Sequence, residues 1–462
     1  MTKPHQQAIV IGGSIAGLLA ARVLANHFEH VTILERDHLP ENPEIRAGVP
    51  QAHHLHVLLA RGHAIFESLF PGLDAELDAQ GAPLIEWGYD TTGLGRGGWM
   101  PKFHSGIKTR SVSRALLEWH IRGRLLRDYP VEFVAETQVK NLVASDDRMR
   151  IIGVDAQIRG GTHEEKRLLA DLVVDASGRT SHTPEWLKEL GYDQPQDTHV
   201  NSFLGYSTRW YKKPSASGAQ PKGVIISNQP PHGLRAGGLW EVEGERIVVT
   251  LVGVNRDFPP TDEVGFMDFA RSLEASTIYE TIKDAEPISE IYGYQRTANR
   301  LRHFERLARW PEQFVVIGDA ACAFNPVYGQ GMTTGALGAL ELDASLREHP
   351  QNLSGMGAQF QKRLANVAAI PWVMATGEDL RYPATEGKRP GLPTRMVQKY
   401  IDHVQLLLPH DTDVARTFFQ VTNLLVPPTA LFQPSIALKT LHHMLGSAAS
   451  KTMSHALQPA KQ

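Results

Sequence analysis

Gly12-Gly13-Ser14-Ile15-Ala16-Gly17 follows directly on the short apolar run Ala8-Ile9-Val10-Ile11. A dinucleotide site needs a tight turn, then close approach of backbone to a pyrophosphate, then close packing of helix on strand. Gly12 suits the first requirement and Gly17 the third. Ser14 stands where a second glycine is usual; it is small enough for the approach and suited to cap the next helix. The free N–H groups of that helix start, around Gly13 and Ala16, would face the phosphates. Glu35 ends the second β-branched run, Val31-Thr32-Ile33-Leu34, in reach of an adenosine ribose. Arg36 beside it could take a 2′-phosphate, but an acid at the strand end argues for the unphosphorylated ribose of FAD or NAD. A glycine turn in some other α/β protein is the plain alternative.

A second constellation lies far down the chain. Val316-Ile317-Gly318-Asp319 sets an aspartate at a strand end, followed by Pro326-Val327-Tyr328-Gly329-Gln330-Gly331-Met332. Such a pair suits a second polyol or phosphate contact. A simple NAD dehydrogenase has no use for it. A flavin does, because its ribityl chain and ring extend beyond the adenosine half. A buried strand with a capping aspartate is the alternative.

His53, His54 and His56 invite a metal reading, but no carboxylate or cysteine pattern completes a site. They fit cofactor contact, packing or a solvated helix start, and no metal is expected. Cys322 is the single cysteine, which excludes a disulfide framework and a dithiol centre within the chain. An inert core thiol is expected. The Arg296–Arg309 cluster reads as solvated helix faces or interdomain contacts.

These residues need elements to position them. Strand, glycine turn, helix, strand and acid in the first 35 residues make a βαβ unit. Helices are expected over 53–70 and 111–127. Strands are expected over Val131–Val134, Gln138–Val143, Ile151–Ile158 and Leu168–Asp175, with a charged turn around Gly160-Gly161. From 199 to 297 the pattern alternates, with strands at Phe203–Trp210, Gly223–Ser227, Gly238–Glu243 and Ile247–Val254 and helices near 263–284. Phe314–Ile317 returns to the buried strand type. Beyond 335 the chain reads as helical, broken by Pro371, Pro383, Pro390, Pro427 and Pro434.

With 462 residues, two or three domains are expected at about 150 each. Hydrophobic residues at 42% and charged residues at 21% suit an ordinary globular core. Lys and Arg total 47 against 50 Asp and Glu, a net charge of −3, so no basic excess points to nucleic acid. No run of about 18 apolar residues predicts a spanning helix. Met1–Gln7 is short and polar, without a signal-like apolar region, so a cytoplasmic protein is expected.

Taken together, the two constellations resemble the FAD-dependent monooxygenases of the aromatic hydroxylase class, in motif order over roughly residues 7–350. The segment Arg46-Ala47-Gly48-Val49-Pro50-Gln51-Ala52-His53-His54-Leu55-His56, with Asn-Pro-Val-Tyr-Gly-Gln-Gly-Met, is similar to the bacterial subgroup containing flavin epoxidases of polyether polyketide biosynthesis. The resemblance implies a Rossmann-type, glutathione-reductase-like FAD domain, built from 1–80, 111–180 and 298–350. It implies a substrate domain with an antiparallel sheet, from 81–110 and 181–297, and a C-terminal helical region, 351–462. That last region would cover the catalytic domains, touch a membrane surface or join subunits.

The resemblance places the ADP half of FAD at Gly12–Gly17 and the ribityl chain at Asp319, with Gly318. The isoalloxazine falls by Pro326, Gly329, Gln330, Gly331 and Met332. Ser113-Arg114-Ala115-Leu116-Leu117 resembles the segment whose arginine reaches FAD, and Val139 the strand that meets adenine. Arg46, Gln51 and His54 join the cofactor set. In the middle motif, Asp175-Ala176-Ser177-Gly178-Arg179 carries Ser177 where the class has aspartate. Direct use of NAD(P)H is therefore in question, and a separate flavin reductase becomes an alternative donor.

The activity implied is insertion of one oxygen atom from O2, through a flavin C4a-hydroperoxide, by epoxidation or hydroxylation of a hydrophobic natural-product intermediate. No side-chain nucleophile is needed. Phe203, Tyr206, Trp240 and Val327 are the candidate substrate linings; Phe203 and Tyr206 are three apart and cannot both face inward. A dehydrogenase or prenyl-chain reductase, or a non-catalytic FAD-binding protein, are the alternatives. A halogenase is disfavoured by the absence of a Trp-x-Trp-x-Ile-Pro segment.

Overall fold

The computed structural model describes residue 3 and residues 5–159, 164–214 and 221–456. The Gly160-Gly161 turn and the two ends, Met1 and Gln462, lie outside the described residues. β1 (His5–Ile11), α1 (Ile15–Leu24) and β2 (Phe28–Leu34) form the expected βαβ unit. Five parallel strands run in the order Phe314–Val316, Leu172–Asp175, β1, β2, Val131–Val134. The central segments Ala8–Ile11, Leu172–Val174 and Phe314–Val316 are apolar and buried, as a sheet covered on both faces requires, while the edge strand Val131–Val134 is only partly so. In register, Ile11 lies beside both Leu34 and Asp175, and Asp175 beside Val316. The loops after these strands therefore leave from one edge, the place where open α/β sheets bind ligands.

Gly12 has φ +99°, and a Cβ there would sit 2.7 Å from the Ala176 carbonyl oxygen. A Cβ on Gly17 would come within 1.9 Å of the Gly12 oxygen. Both glycines are thus required by the backbone itself. The expected single strand Leu168–Asp175 is two, Glu165–Leu169 and Leu172–Asp175. Between them Asp171 accepts from the Gln6 and Gln7 N–H groups, so the chain changes sheets at that point.

A seven-stranded sheet stands beside the parallel one. Its order is Tyr292–Tyr294, Gly205–Lys212, Arg246–Gly253, Arg235–Val242, Gly223–Ile226, Thr91–Gly95, Gly98–Trp99. It is antiparallel except where Gly223–Ile226 runs parallel to Thr91–Gly95. Two short helices, Glu263–Arg271 and Thr277–Ile282, cover its outer face through Phe266, Phe269 and Ile278.

Several sequence expectations are corrected. Helix forms only over Ala60–Leu69, not from 53. Residues 54–59 lie along the large sheet instead, tied by Leu55 N–H to Thr250 Oγ1 and by Trp210 Nε1 to the His53 oxygen. The Arg296–Arg309 cluster holds no α-helix; it contains the strand Asn299–Arg302 and a single 3-10 turn, Phe304–Arg306. Pro371 does not break the tail. It sits inside the helix Met356–Asp379, which gives up one backbone bond there and continues.

The C-terminal helices Leu392–Leu407, Thr412–Thr422 and Pro434–Ala456 share their own core around Val404, Val414 and Leu431. They are locked to the front of the chain by Asn423. Its Oδ1 accepts from Ala60 N–H at 2.9 Å, capping a helix that lacks a cap of its own. Among the described residues, no helix is long and apolar enough to cross a membrane.

Candidate active site

One continuous cavity of about 800 Å³ begins at the strand-end loops and runs into the seven-stranded sheet. Gly12, Ser14, Ala16, Glu35, Arg36, Arg46, Gln51, His54, Arg114 and Val139 line its first part. Gly318, Asp319, Pro326, Val327, Gly329, Gly331 and Met332 line its middle. Three expected cofactor residues do not reach it. Gly13 turns its N–H to Glu35 Oε2 at 2.8 Å, Gly17 serves packing, and Gln330 is buried behind the loop.

A dense ionic cluster backs the glycine turn. Arg46 bonds Glu118 through Nε and Nη2, and reaches Glu35 at 3.0 Å and Asp37 at 3.3 Å. Arg114 donates to Glu118 at 3.1 Å and to Ser14 Oγ at 2.8 Å. Burial pushes the Glu118 carboxyl up, but Arg114 and Arg46 outweigh it and hold the group below its ordinary value. Ser14 does not cap α1. Its hydroxyl is spent on Glu118 and Arg114, which fixes both at the cavity wall. Arg114 is accordingly no surface arginine; it is buried.

The next turn is built on Asp175, which is fully buried. Its carboxylate accepts from Ser177 N–H at 2.9 Å and from the Ser177, Ser181 and Thr183 hydroxyls at 2.5 Å each. Arg179, beyond that turn, donates to the Ala298 and Phe324 carbonyls and lies 3.6 Å from Asp319. Asp319 is left half-exposed in the cavity. A Cβ at Gly178 or Gly331 would meet nothing within 4 Å. Both glycines edge open cavity, and the 18-residue helix Gly331–Glu348 points its N-terminus there.

The loop at Pro326 is pinned from behind. Asn325 is buried, and three groups donate to Asp379: Asn325 Nδ2 at 3.2 Å, Tyr328 OH at 2.9 Å and Asn299 Nδ2 at 2.6 Å. Burial raises the Asp379 carboxyl despite these bonds. Tyr206 OH donates to Asn325 Oδ1 at 3.3 Å.

The deep end of the cavity is apolar. Of the residues proposed from sequence to contact substrate, Tyr206, Trp240 and Val327 line the cavity. Phe203 does not. It lies before the strand, at φ +49°, with Arg256 stacked 3.3 Å over its ring, so the spacing conflict resolves in favour of Tyr206. Trp87, Tyr294, Phe418 and Phe419 also face the cavity, unforeseen because each comes from a distant segment. Trp87 packs on Trp240 at 5.7 Å and on Phe419 at 5.8 Å. No group of three metal-ligating side chains occurs among the described residues. Cys322 is buried, and burial pushes its thiol up.

No protein-family profile matches the chain. The chain is 24% identical over 397 residues to kynurenine 3-monooxygenase of Salinispora tropica, covering 82% of each. Its fold matches the solved flavoprotein/dehydrogenase of Cytophaga hutchinsonii at TM-score 0.65 and 15% identity, over 96% of this chain and 99% of that one. It matches the flavin-dependent brominase Bmp2 at TM-score 0.62 and 13% identity, over 89% and 96%. These likenesses show a shared mixed α/β fold. With protein Rv3254 of Mycobacterium tuberculosis the identity is 34% over 392 residues, 82% of this chain and 81% of that one, and the chain belongs to its family.

Proposed function

We propose that the chain is an FAD-dependent monooxygenase that places one oxygen atom from O2 on a hydrophobic small molecule, by hydroxylation or epoxidation. The carrying observation is the continuity of the cavity from the Gly12 turn, past Asp319, to an aromatic chamber. A dinucleotide-length cofactor and an apolar substrate would share such a space end to end. The open walls at Gly178 and Gly331 fit a cofactor laid against backbone.

In this reading the N–H groups opening α1 take the pyrophosphate. Glu35 keeps a lone pair on Oε1 for the adenosine ribose while its others hold the Gly13 and Asp37 N–H groups and Arg46. Arg114 braces the glycine turn through Ser14, and Val139 borders the adenine. Asp319 accepts from the ribityl hydroxyls. The Pro326–Met332 loop, held by Asn325 and Asp379, backs the ring. When bound and reduced, FAD supplies the electrons that activate dioxygen for transfer of one oxygen atom. The chamber of Trp87, Trp240, Phe418 and Phe419 holds the substrate and keeps water out. A glutathione-reductase-like origin of the FAD domain and a place in natural-product biosynthesis belong to the same proposal.

The test is turnover under ¹⁸O₂ with NAD(P)H, or with an added flavin reductase, on lipophilic extracts analysed by mass spectrometry. One ¹⁸O atom in the product is expected. An oxidised or reduced product without label would indicate a dehydrogenase or reductase instead.

A further inference from the structure

Arg302 ends the strand Asn299–Arg302 and is buried, yet both partners of its guanidinium are backbone carbonyls. Nη1 donates to the Ala320 oxygen at 3.0 Å and Nη2 to the Ser181 oxygen at 3.2 Å, while Nε is buried without a partner. Burial, then neighbouring Arg300, lowers the group from its ordinary value. An apolar side chain of similar volume would fill the place without that cost. The two bonds to carbonyls are what a guanidinium adds here.

Those carbonyls sit at matching places. Gly178–Thr180 and Gly318–Ala320 are single 3-10 turns that follow the parallel strands Leu172–Asp175 and Phe314–Val316. The Ser181 N–H closes the first on the Gly178 oxygen and the Ala321 N–H closes the second on the Gly318 oxygen, each at 3.0 Å. Carbonyls at the end of such a turn have no partner within it. The planar fork of Arg302 takes one from each, and the two turns lie against each other. Both line the cavity, through Gly178 and Arg179 on one and Gly318 and Asp319 on the other. Arg300 is two residues back and so on the same face of the strand. It donates to the Arg179 oxygen.

We propose that Arg302 is a positioning residue of the cofactor cavity: its guanidinium closes the ends of two turns at once and so fixes Gly178 and Asp319 relative to each other. An FAD whose ribityl chain reaches Asp319 then meets both turns at one set spacing. The proposal rests on the FAD reading for its ligand, but the link between the turns does not depend on it. Arg309 provides the contrast: exposed, it donates to the Gly191 oxygen at 2.7 Å and holds neither turn.

The experiment uses the full chain, freed of flavin, and follows hydrogen–deuterium exchange by mass spectrometry. In Arg302→Met, peptides spanning 176–183 and 317–323 should exchange about tenfold faster, while the βαβ unit over 5–34 keeps its rate. Arg309→Met should leave both turns unchanged. Fluorescence titration with FAD comes next. Arg302→Met should weaken FAD about tenfold. Adding Asp319→Ala to it should then weaken FAD less than about threefold further, against about ten- to a hundredfold in the parent, because both residues act through one turn. Where Arg302→Met does not fold, Arg302→Lys keeps the cation, loses the fork and gives the same readings. Unmodified protein that binds no FAD removes the FAD reading, and the exchange rates alone then decide the proposal. Unchanged exchange in either turn, exchange raised equally along the whole chain, or, in protein that binds FAD, an unchanged affinity or full additivity with Asp319→Ala overturns it.

Discussion

Asp175 ends one parallel strand and Asp319 lies in the turn after its neighbour, Phe314–Val316, and their replacement by alanine should have different consequences. Asp175 accepts four hydrogen bonds at 2.5–2.9 Å in a site with no exposure. A hydrogen bond to a charged group contributes about 1.5–3 kcal/mol, though four on one carboxylate are not additive. Breaking a buried charged network costs about 3–5 kcal/mol, and Asp175→Ala should cost that much. Asp319 meets Arg179 at 3.6 Å with both side chains partly in solvent, a pair worth about 0–1 kcal/mol. Asp319→Ala should therefore leave stability nearly unchanged while weakening FAD by about ten- to a hundredfold, the worth of one charge-assisted bond. Urea denaturation of the flavin-free proteins, followed by far-ultraviolet circular dichroism, measures the first effect. Fluorescence titration with FAD measures the second. The reasoning is refuted if Asp175→Ala unfolds within about 1 kcal/mol of the parent, or if Asp319→Ala is destabilised as strongly.

Four further outcomes follow from burial. His54 favours the neutral form in the fold, at about 4, against about 6.5 when unfolded, so the unfolded chain binds the extra proton in between. Its stability contribution is complete above that unfolded value and is lost as pH falls towards 4. About 1.4 kcal/mol should disappear between roughly pH 7.5 and 5.5; His54→Gln, compared in the same melts, should flatten that part of the slope. Trp240→Ala should cost about 3–5 kcal/mol in chemical denaturation, since the ring is 1% exposed. Phe418→Ala, at a half-buried cavity wall, should change ligand selection with FAD occupancy intact. Cys322 should stay inert to a thiol-specific disulfide reagent until the protein is unfolded, and stoichiometric labelling of the native protein would contradict its burial.

Local elements were legible where one rule governs them. The βαβ unit follows from two apolar runs around glycines whose Cβ positions are blocked by backbone, and the structure places both as expected. The start of the helix at Ala60 was not, because its cap is Asn423, far down the chain. The local pattern around His54 predicts helix for the same reason: the ties that straighten 54–59 come from Trp210 and Thr250. The residue type of Phe203 favours a strand, whereas a positive φ and Arg256 set its position. Asp175 looked like a plain strand end, since the three hydroxyls that converge on it arrive through the following turn. The aromatic chamber draws on segments near 87, 240, 294 and 418, a juxtaposition that only tertiary structure brings about.

The central claim is that the cavity seats FAD. Full-length protein should purify yellow, or bind added FAD at one equivalent, and acid denaturation should release intact FAD without covalent flavin peptide, as read by chromatography and mass. Release of FMN, or failure to bind FAD at saturating concentration in a folded protein, would contradict the account.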